Sequence, residues 1–180
     1  MIDIVFPSKN EDEFIKMAER LGISGLIFAY KDKKEFYTKE SALPITNALL
    51  VEPKDVRKAH DAKVMAICMA SREAIERGAD VVFGFELLAE KDPTHHRASG
   101  LNQVLCKLAA DKKVQIGLSF STILAYIGQK RAILLGRMAQ NIMFCQKYKT
   151  PMRIASFATS PWEMRAPAEL KAFFSQLGMT

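Results

Sequence analysis

At 180 residues, 49% of them hydrophobic, the chain is long enough to bury a substantial core and too apolar to be a disordered segment. No apolar run reaches the roughly 18 residues that a membrane span needs, and the three widely spaced cysteines form no CxxC, so they read as buried free thiols in a reducing, cytoplasmic setting rather than as a disulfide framework. The net charge of +6 is unevenly distributed, which points to a polyanionic partner and to a particular part of the chain for it.

Met1 to Phe6 reads as a short buried strand, and an acid at Asp3 argues against a secretory leader there. Asn10 is placed to cap a helix whose first turn carries Glu11, Asp12 and Glu13, where carboxylates suit the helix dipole. Phe14, Met17, Ala18 and Leu21 follow at helical spacing until Gly22. Gly25 to Tyr30 is a second strand, followed by a polar turn over Lys31 to Lys39. Ile45 to Glu52 is a third strand, after which Pro53 opens a short helix. Lys63 to Met69 is a fourth strand. Ser71 caps a helix over Arg72 to Arg77 that Gly78 ends, and Asp80 to Phe85 is a fifth strand.

Glu86 to Ala98 is a long polar loop containing Pro93, His95 and His96. From Ser99 the pattern predicts a helix with Leu101, Val104, Leu105 and Leu108 on its apolar face. Val114 to Leu118 is a sixth strand. Leu124 and Ile127 are assigned to a short helix, and a long helix then runs to about Tyr148 with Ile133, Leu134, Met138 and Ile142 on its buried stripe. Arg153 to Phe157 is the seventh strand, and Pro167 to Leu177 the last helix.

Seven short apolar strands alternating with helices predict an α/β fold with a parallel sheet, because parallel strands need crossover connections. The first expectation is one irregular TIM-barrel-like domain over residues 1–180; an open doubly wound sheet is the second. A barrel would carry its chemistry at the C-terminal ends of the strands. Those positions are Pro7-Ser8, Tyr30-Lys31, Glu52, Ala70-Ser71, Glu86, Ser119 to Ser121 and Thr159-Ser160. They hold two carboxylates and no histidine, few donors for a metal-dependent hydrolase. No phosphate-binding glycine loop or nucleophile elbow occurs. A phosphoesterase reading therefore has only Glu52, Glu86, Asp92, His95 and His96 to draw on.

The segment from Lys112 to Trp162 contains Lys112, Lys113, Lys130, Arg131, Arg137, Lys147, Lys149 and Arg153, and no Asp or Glu. Its eight cations exceed the charge of the whole chain, so the remainder is slightly acidic. Lys130 and Arg137, seven residues apart, are expected to share one face of the long helix.

The run Arg97-Ala98-Ser99-Gly100-Leu101-Asn102-Gln103-Val104-Leu105-Cys106-Lys107-Leu108-Ala109 resembles the signature of the archaeal ribonuclease P protein component 3 family, the counterpart of the eukaryotic 30-kDa ribonuclease P subunit. Three further stretches resemble the same family: Val114 to Ser121, Arg137 to Lys149, and Ser160 to Leu170 with its W-x-x-R-x-P-x-x-L pattern. Gln103 departs from the family's usual His. The resemblance implies a barrel similar to the polymerase-and-histidinol-phosphatase hydrolases without their metal site. It implies a subunit that binds the catalytic RNA of ribonuclease P, with magnesium ions used by the RNA and no cofactor on the protein. The implied partners are that RNA, the ferredoxin-like component 2, the other ribonuclease P proteins and precursor tRNA. Arg97, Lys112, Lys113, Lys130, Arg131, Arg137, Lys147, Lys149 and Arg165 are the candidate RNA contacts, with Arg97, Lys112, Lys147 and Arg165 expected on one phosphate-lined surface. Gly100, Asn102, Trp162 and Pro167 are expected to be structural, Asn102 by tying the preceding loop to the barrel.

Overall fold

The computed structural model describes all of residues 1–180, and its strands fall within two residues of the predicted runs. They are β1 (Ile2–Val5), β2 (Gly25–Tyr30), β3 (Ile45–Leu50), β4 (Met65–Met69), β5 (Val81–Phe83), β6 (Gln115–Ser119) and β7 (Met152–Ala155). Around them lie α1 (Glu11–Arg20), α2 (Val56–Asp61), α3 (Arg72–Glu76), α4 (Gln103–Asp111), α5 (Phe120–Leu124), α6 (Gly128–Lys147) and α7 (Pro167–Gln176). Each strand pairs in parallel with its neighbour in sequence, in the order β1 to β7. A doubly wound sheet requires a reversal of strand order; the uninterrupted order here curls into a nearly closed barrel.

Closure between β1 and β7 is made by little backbone pairing. It consists of one parallel bridge, Val5 to Ala158, with the Phe6 amide donating to the Ala158 carbonyl at 2.8 Å. The Asp3 carboxylate supplies what the strands do not. It accepts from the Ser156 amide and the Ser156 hydroxyl, each at 2.6 Å, and from the Ile4 amide at 3.0 Å. Asp3 and Ser156 are fully buried, so these charge-assisted bonds replace the carboxylate's hydration.

Alternate strand residues fill the interior: Ile4, Ile27, Ala29, Ala48, Ile67, Val81, Phe83, Ala155 and Phe157. The Phe83 and Phe157 rings stack at 4.6 Å. Gly117 makes room for them, since a Cβ there would lie 2.7 Å from Phe83 Cβ and 2.8 Å from Phe157 Cζ. The other strand faces pack against the helices, with Phe14 and Ala18 of α1 on one side and Leu134, Met138 and Ile142 of α6 on another.

Some local expectations are corrected. Asn10 makes no cap bond to α1; its Oδ1 instead accepts from the Ser8 amide, fixing the turn after β1. The helix expected from Ser99 starts at Gln103, because Gly100 adopts φ +85° and breaks the run. Leu101 is buried ahead of that helix and Val104 is 60% exposed on it. Ile127 lies outside α5 and is exposed.

Candidate nucleic-acid interface

Helices that feed strands here end in a left-handed residue, the usual place for glycine, as at Gly22 and Gly78. After α2, α4 and α6 that residue is a lysine: Lys63, Lys113 and Lys149, with φ of 56°, 58° and 54°. A residue with a Cβ in this conformation costs roughly 1–2 kcal/mol, more than the roughly 0.3–1 kcal/mol that a cation at a helix C-terminus returns. Stability alone therefore does not account for lysine there. Lys113 and Lys149 lie where the chain enters β6 and β7, which are hydrogen-bonded neighbours. With Lys112 and Lys147 they form an exposed basic group at the N-terminal end of the barrel, and none of the four makes an ion pair. Lys107 joins them. Its Nζ lies 5.9 Å from the Tyr148 ring centroid, and that of Lys147 lies 5.7 Å away. Asp111 ends the acid-free window between Lys107 and Lys112, and a count of charges along the chain therefore misses Lys107.

Arg137 is not part of any exposed face. It is 2% exposed, and its guanidinium holds the long loop from inside. Nε donates to Asp92 Oδ1 at 2.7 Å, and Nη1 donates to the carbonyls of Glu86 and Ala89 at 3.0 and 2.6 Å. Asp92 also accepts from the Ala98 amide at 2.8 Å. Partial desolvation raises the Asp92 pKa, but the Ala98 amide and the Arg137 cation outweigh it and hold the carboxyl below its ordinary value. Glu86 is buried beside this anchor, and desolvation pushes its pKa up to about 7. Helical spacing identifies the face that Arg137 shares with Lys130, but not that the loop covers its middle.

At the opposite, C-terminal end of the barrel lie Lys130, Arg131 and Arg165, while Arg97 lies over the middle of α6. Arg97 is exposed and lies flat over Gly136 of α6, where a Cβ would come within 2.8 Å of its Nε. Lys130 Nζ sits 4.2 Å from the Tyr126 ring centroid. Arg131 is partly committed to the Tyr126 carbonyl, and Arg165 is half-buried. Arg165 Nη1 donates to the carbonyls of Trp162 and Met164 at 2.9 and 2.7 Å, and its guanidinium lies over the Phe120 ring at 5.3 Å. α6 has 20 residues, about 30 Å at the helical rise, and it separates the two groups. Arg165 therefore does not share one surface with Lys112 and Lys147, contrary to expectation, and Arg97 lies between the two groups. Arg153 belongs to neither group: it alternates with Met152 and Ile154 and falls on the interior side of β7 with Ala155.

The four positions expected to be structural divide. Gly100 is required sterically, because a Cβ would lie 2.2 Å from the Phe85 carbonyl oxygen. Asn102 caps α4, its Oδ1 accepting from the Leu105 amide at 2.9 Å, and so fixes the helix start rather than the preceding loop. Pro167 opens α7. Trp162 is 77% exposed and packs no core. Gln103, at the family's His position, is exposed in the first turn of α4.

The donors of the phosphoesterase reading are not assembled. Glu52 pairs with Lys54 at 2.6 Å, Asp92 is held by Arg137, Glu86 is buried, and His95 and His96 lie exposed in the loop. No three His, Cys, Asp or Glu side chains converge in an arrangement that could hold a metal ion. Ser119 and Ser121 are engaged internally. The first accepts from the Thr122 amide at 3.2 Å, and the second donates to the Phe157 carbonyl at 2.8 Å.

Residues 85–180 match the family model described as RNase P subunit p30. Ribonuclease P protein component 3 of Methanosarcina mazei is 29% identical over 181 residues, an alignment covering 93% of this chain and 74% of that protein. The Methanocaldococcus jannaschii protein of the same name is 26% identical over 197 residues, covering 98% of this chain and 82% of its own. Among solved structures, a chain in the cryo-EM structure of archaeal ribonuclease P with mature tRNA superposes with a TM-score of 0.79 at 24% identity, over 99% of this chain and 83% of that one. A prolidase complexed with N-methylphosphonate-L-proline superposes with a TM-score of 0.52 at 6% identity, over 90% of this chain and 66% of that one. At these identities both structural likenesses are likenesses of fold.

Proposed function

The chain belongs to the RNase P subunit p30 family, and on that premise we propose that it serves ribonuclease P by binding the catalytic RNA through the lysines at the N-terminal end of its barrel. In this reading the RNA, with its magnesium ions, removes the 5′ leader of precursor tRNA, and the protein neutralises phosphate and holds RNA helices in place. Component 2 and the other ribonuclease P proteins complete the particle. The three cysteines are free and buried, which suits a reducing, cytoplasmic setting, and no helix is long and apolar enough to cross a membrane.

The observation that carries this reading is the contrast between two flanks of the barrel. On α2 and α3 most surface charges are internally paired, Lys58 with Asp55, Arg57 with Asp61, Arg72 with Glu76 and Arg77 with Glu73, and the left-handed Lys63 after α2 is the single exposed cation there without a partner. On α4 and α6, Lys107, Lys112, Lys113, Lys147 and Lys149 are exposed without an acidic partner, and two of them occupy strained backbone positions. Paired charges make a solvated surface; unpaired cations are available to a polyanion.

The test is binding of ribonuclease P RNA over a salt series, with precursor-tRNA cleavage by the reconstituted particle as a second readout. Substituting Lys112, Lys113, Lys147 and Lys149 by Ala is expected to reduce the salt slope by roughly 0.7 to 0.9 for each phosphate no longer neutralised, and to reduce cleavage at moderate salt. An unchanged slope with the fold intact would place the RNA elsewhere.

A further inference from the structure

We propose that the cleft between α1 and the turn Pro161–Glu163 binds an unpaired RNA nucleotide, its base stacked on Trp162 and its phosphate held by Lys16 and Arg20. The proposal deepens the ribonuclease P reading and rests on it for the identity of the nucleic acid as RNA.

Trp162 is 77% exposed, yet the turn that carries it is tightly fixed. Pro161 and Met164 on either side are buried. The Glu163 carboxylate accepts from the Thr159 amide at 2.7 Å, the Thr159 hydroxyl at 3.2 Å and the Ser160 amide at 3.3 Å. Arg165 clamps the Trp162 carbonyl from the other side. An indole carried on a backbone fixed by these contacts and left in solvent contributes nothing to the core. The turn that presents it is preorganised, so on binding only the side chain's own rotation remains to be ordered.

The facing wall is α1. Glu13, Lys16, Met17 and Arg20 lie at helical spacing on one side of that helix and, with Pro161 and Trp162, line an open cleft of about 340 Å³. Lys16 and Arg20 are exposed and make no ion pair. A flat aromatic face beside two unpaired cations matches a ligand that is planar and anionic within one small unit. An unpaired nucleotide is such a ligand: every base offers a π-face and carries its own phosphate. An apolar peptide segment would leave both cations without a counterpart. Glu13 at the N-terminal end of the cleft adds an acceptor for a base's exocyclic amine, so adenine suits the site better than uracil.

Trp162 is the chain's one tryptophan, so its emission reports this site directly. The full-length protein is titrated with a short oligoadenylate. Saturable quenching is expected, weakened by added salt and reduced about tenfold or more in apparent affinity by Lys16→Gln with Arg20→Gln. A fluorescein-labelled copy of the same oligonucleotide, read by anisotropy, covers variants without the reporter. Trp162→Ala is expected to weaken binding by roughly tenfold or more, and Trp162→Phe to retain most of it. Ribonuclease P RNA binding and reconstituted cleavage by the same preparations test the underlying reading separately. Intact wild-type cleavage with no quenching, or with binding indifferent to Trp162→Ala, overturns the nucleotide site and leaves the ribonuclease P reading standing. Emission that responds to the ribonuclease P proteins but not to RNA also overturns it, in favour of a protein contact. Quenching in a protein that fails to bind ribonuclease P RNA upholds the site and removes the reading above it.

Discussion

Glu86 and Arg137 are the two residues whose environment most changes their chemistry. Glu86 is 1% exposed with its Oε1 unpartnered, and burial lifts its pKa from an ordinary 4.5 to about 7. Between those values the folded chain keeps the proton and the unfolded chain has lost it, so stability falls as pH rises through the interval. Below it, both states are protonated and the penalty vanishes. Glu86→Gln is therefore expected to match the wild type near pH 4.5 and to exceed it by roughly 3 kcal/mol at pH 8, at about 1.4 kcal/mol per unit; urea denaturation at several pH values measures this. Arg137→Ala leaves Asp92 and two carbonyls without their donor. A loss of roughly 3 kcal/mol is expected, at the low end for breaking a buried pair because Asp92 keeps some access to water. Lys130→Ala should change thermal stability by no more than about 0.5 kcal/mol. The sequence shows both arginine and lysine as cations on one helix face. Only the loop packed over α6 distinguishes them.

Among the elements, the helix ends are where local stability and binding conflict. Lys113 and Lys149 occupy conformations that glycine adopts freely. Lys113→Gly and Lys149→Gly are each expected to stabilise the fold by about 1 kcal/mol while weakening ribonuclease P RNA binding and flattening its salt dependence. A stability gain with unchanged RNA affinity would show that the two lysines are only tolerated there. Strands and most helices are legible in the sequence because their signals are periodic, and α1, α6 and α7 follow the predicted runs closely. The start of α4 is not: the pattern starts it at Ser99, whereas Asn102 caps it. Gly100's approach to the Phe85 carbonyl, a contact between segments, selects Asn102.

For the molecule as a whole, the seam between the first and last strands is the weakest part of the barrel wall. Asp3→Ala removes the acceptor for the buried Ser156 amide and hydroxyl. A destabilisation of roughly 2–4 kcal/mol is expected, with faster hydrogen exchange at the Phe6 amide that donates across the seam. Because α1 follows β1 and the Pro161–Glu163 turn follows the last bridge, loosening the seam should also weaken oligonucleotide binding beside Trp162. If Asp3→Ala exchanges no faster at Phe6, closure depends on packing rather than on this carboxylate.

By itself, the sequence determined the seven strands, their parallel pairing, the family and the basic character of the second half of the chain. These follow from periodicity, composition and motif spacing, all properties of residues close together along the chain. The tertiary structure decided which cations reach solvent. It turned Arg137 and Arg153 inward, set Lys130, Arg131 and Arg165 at the opposite end of the barrel from Lys112, Lys113, Lys147 and Lys149, and brought Lys107 to Tyr148. It also brought α1 beside Trp162, although well over a hundred residues separate them in sequence. A linear pattern reports which face of an element a side chain is on, whereas burial and ion pairing depend on what the rest of the chain places against that face, and this is decided only when the barrel closes.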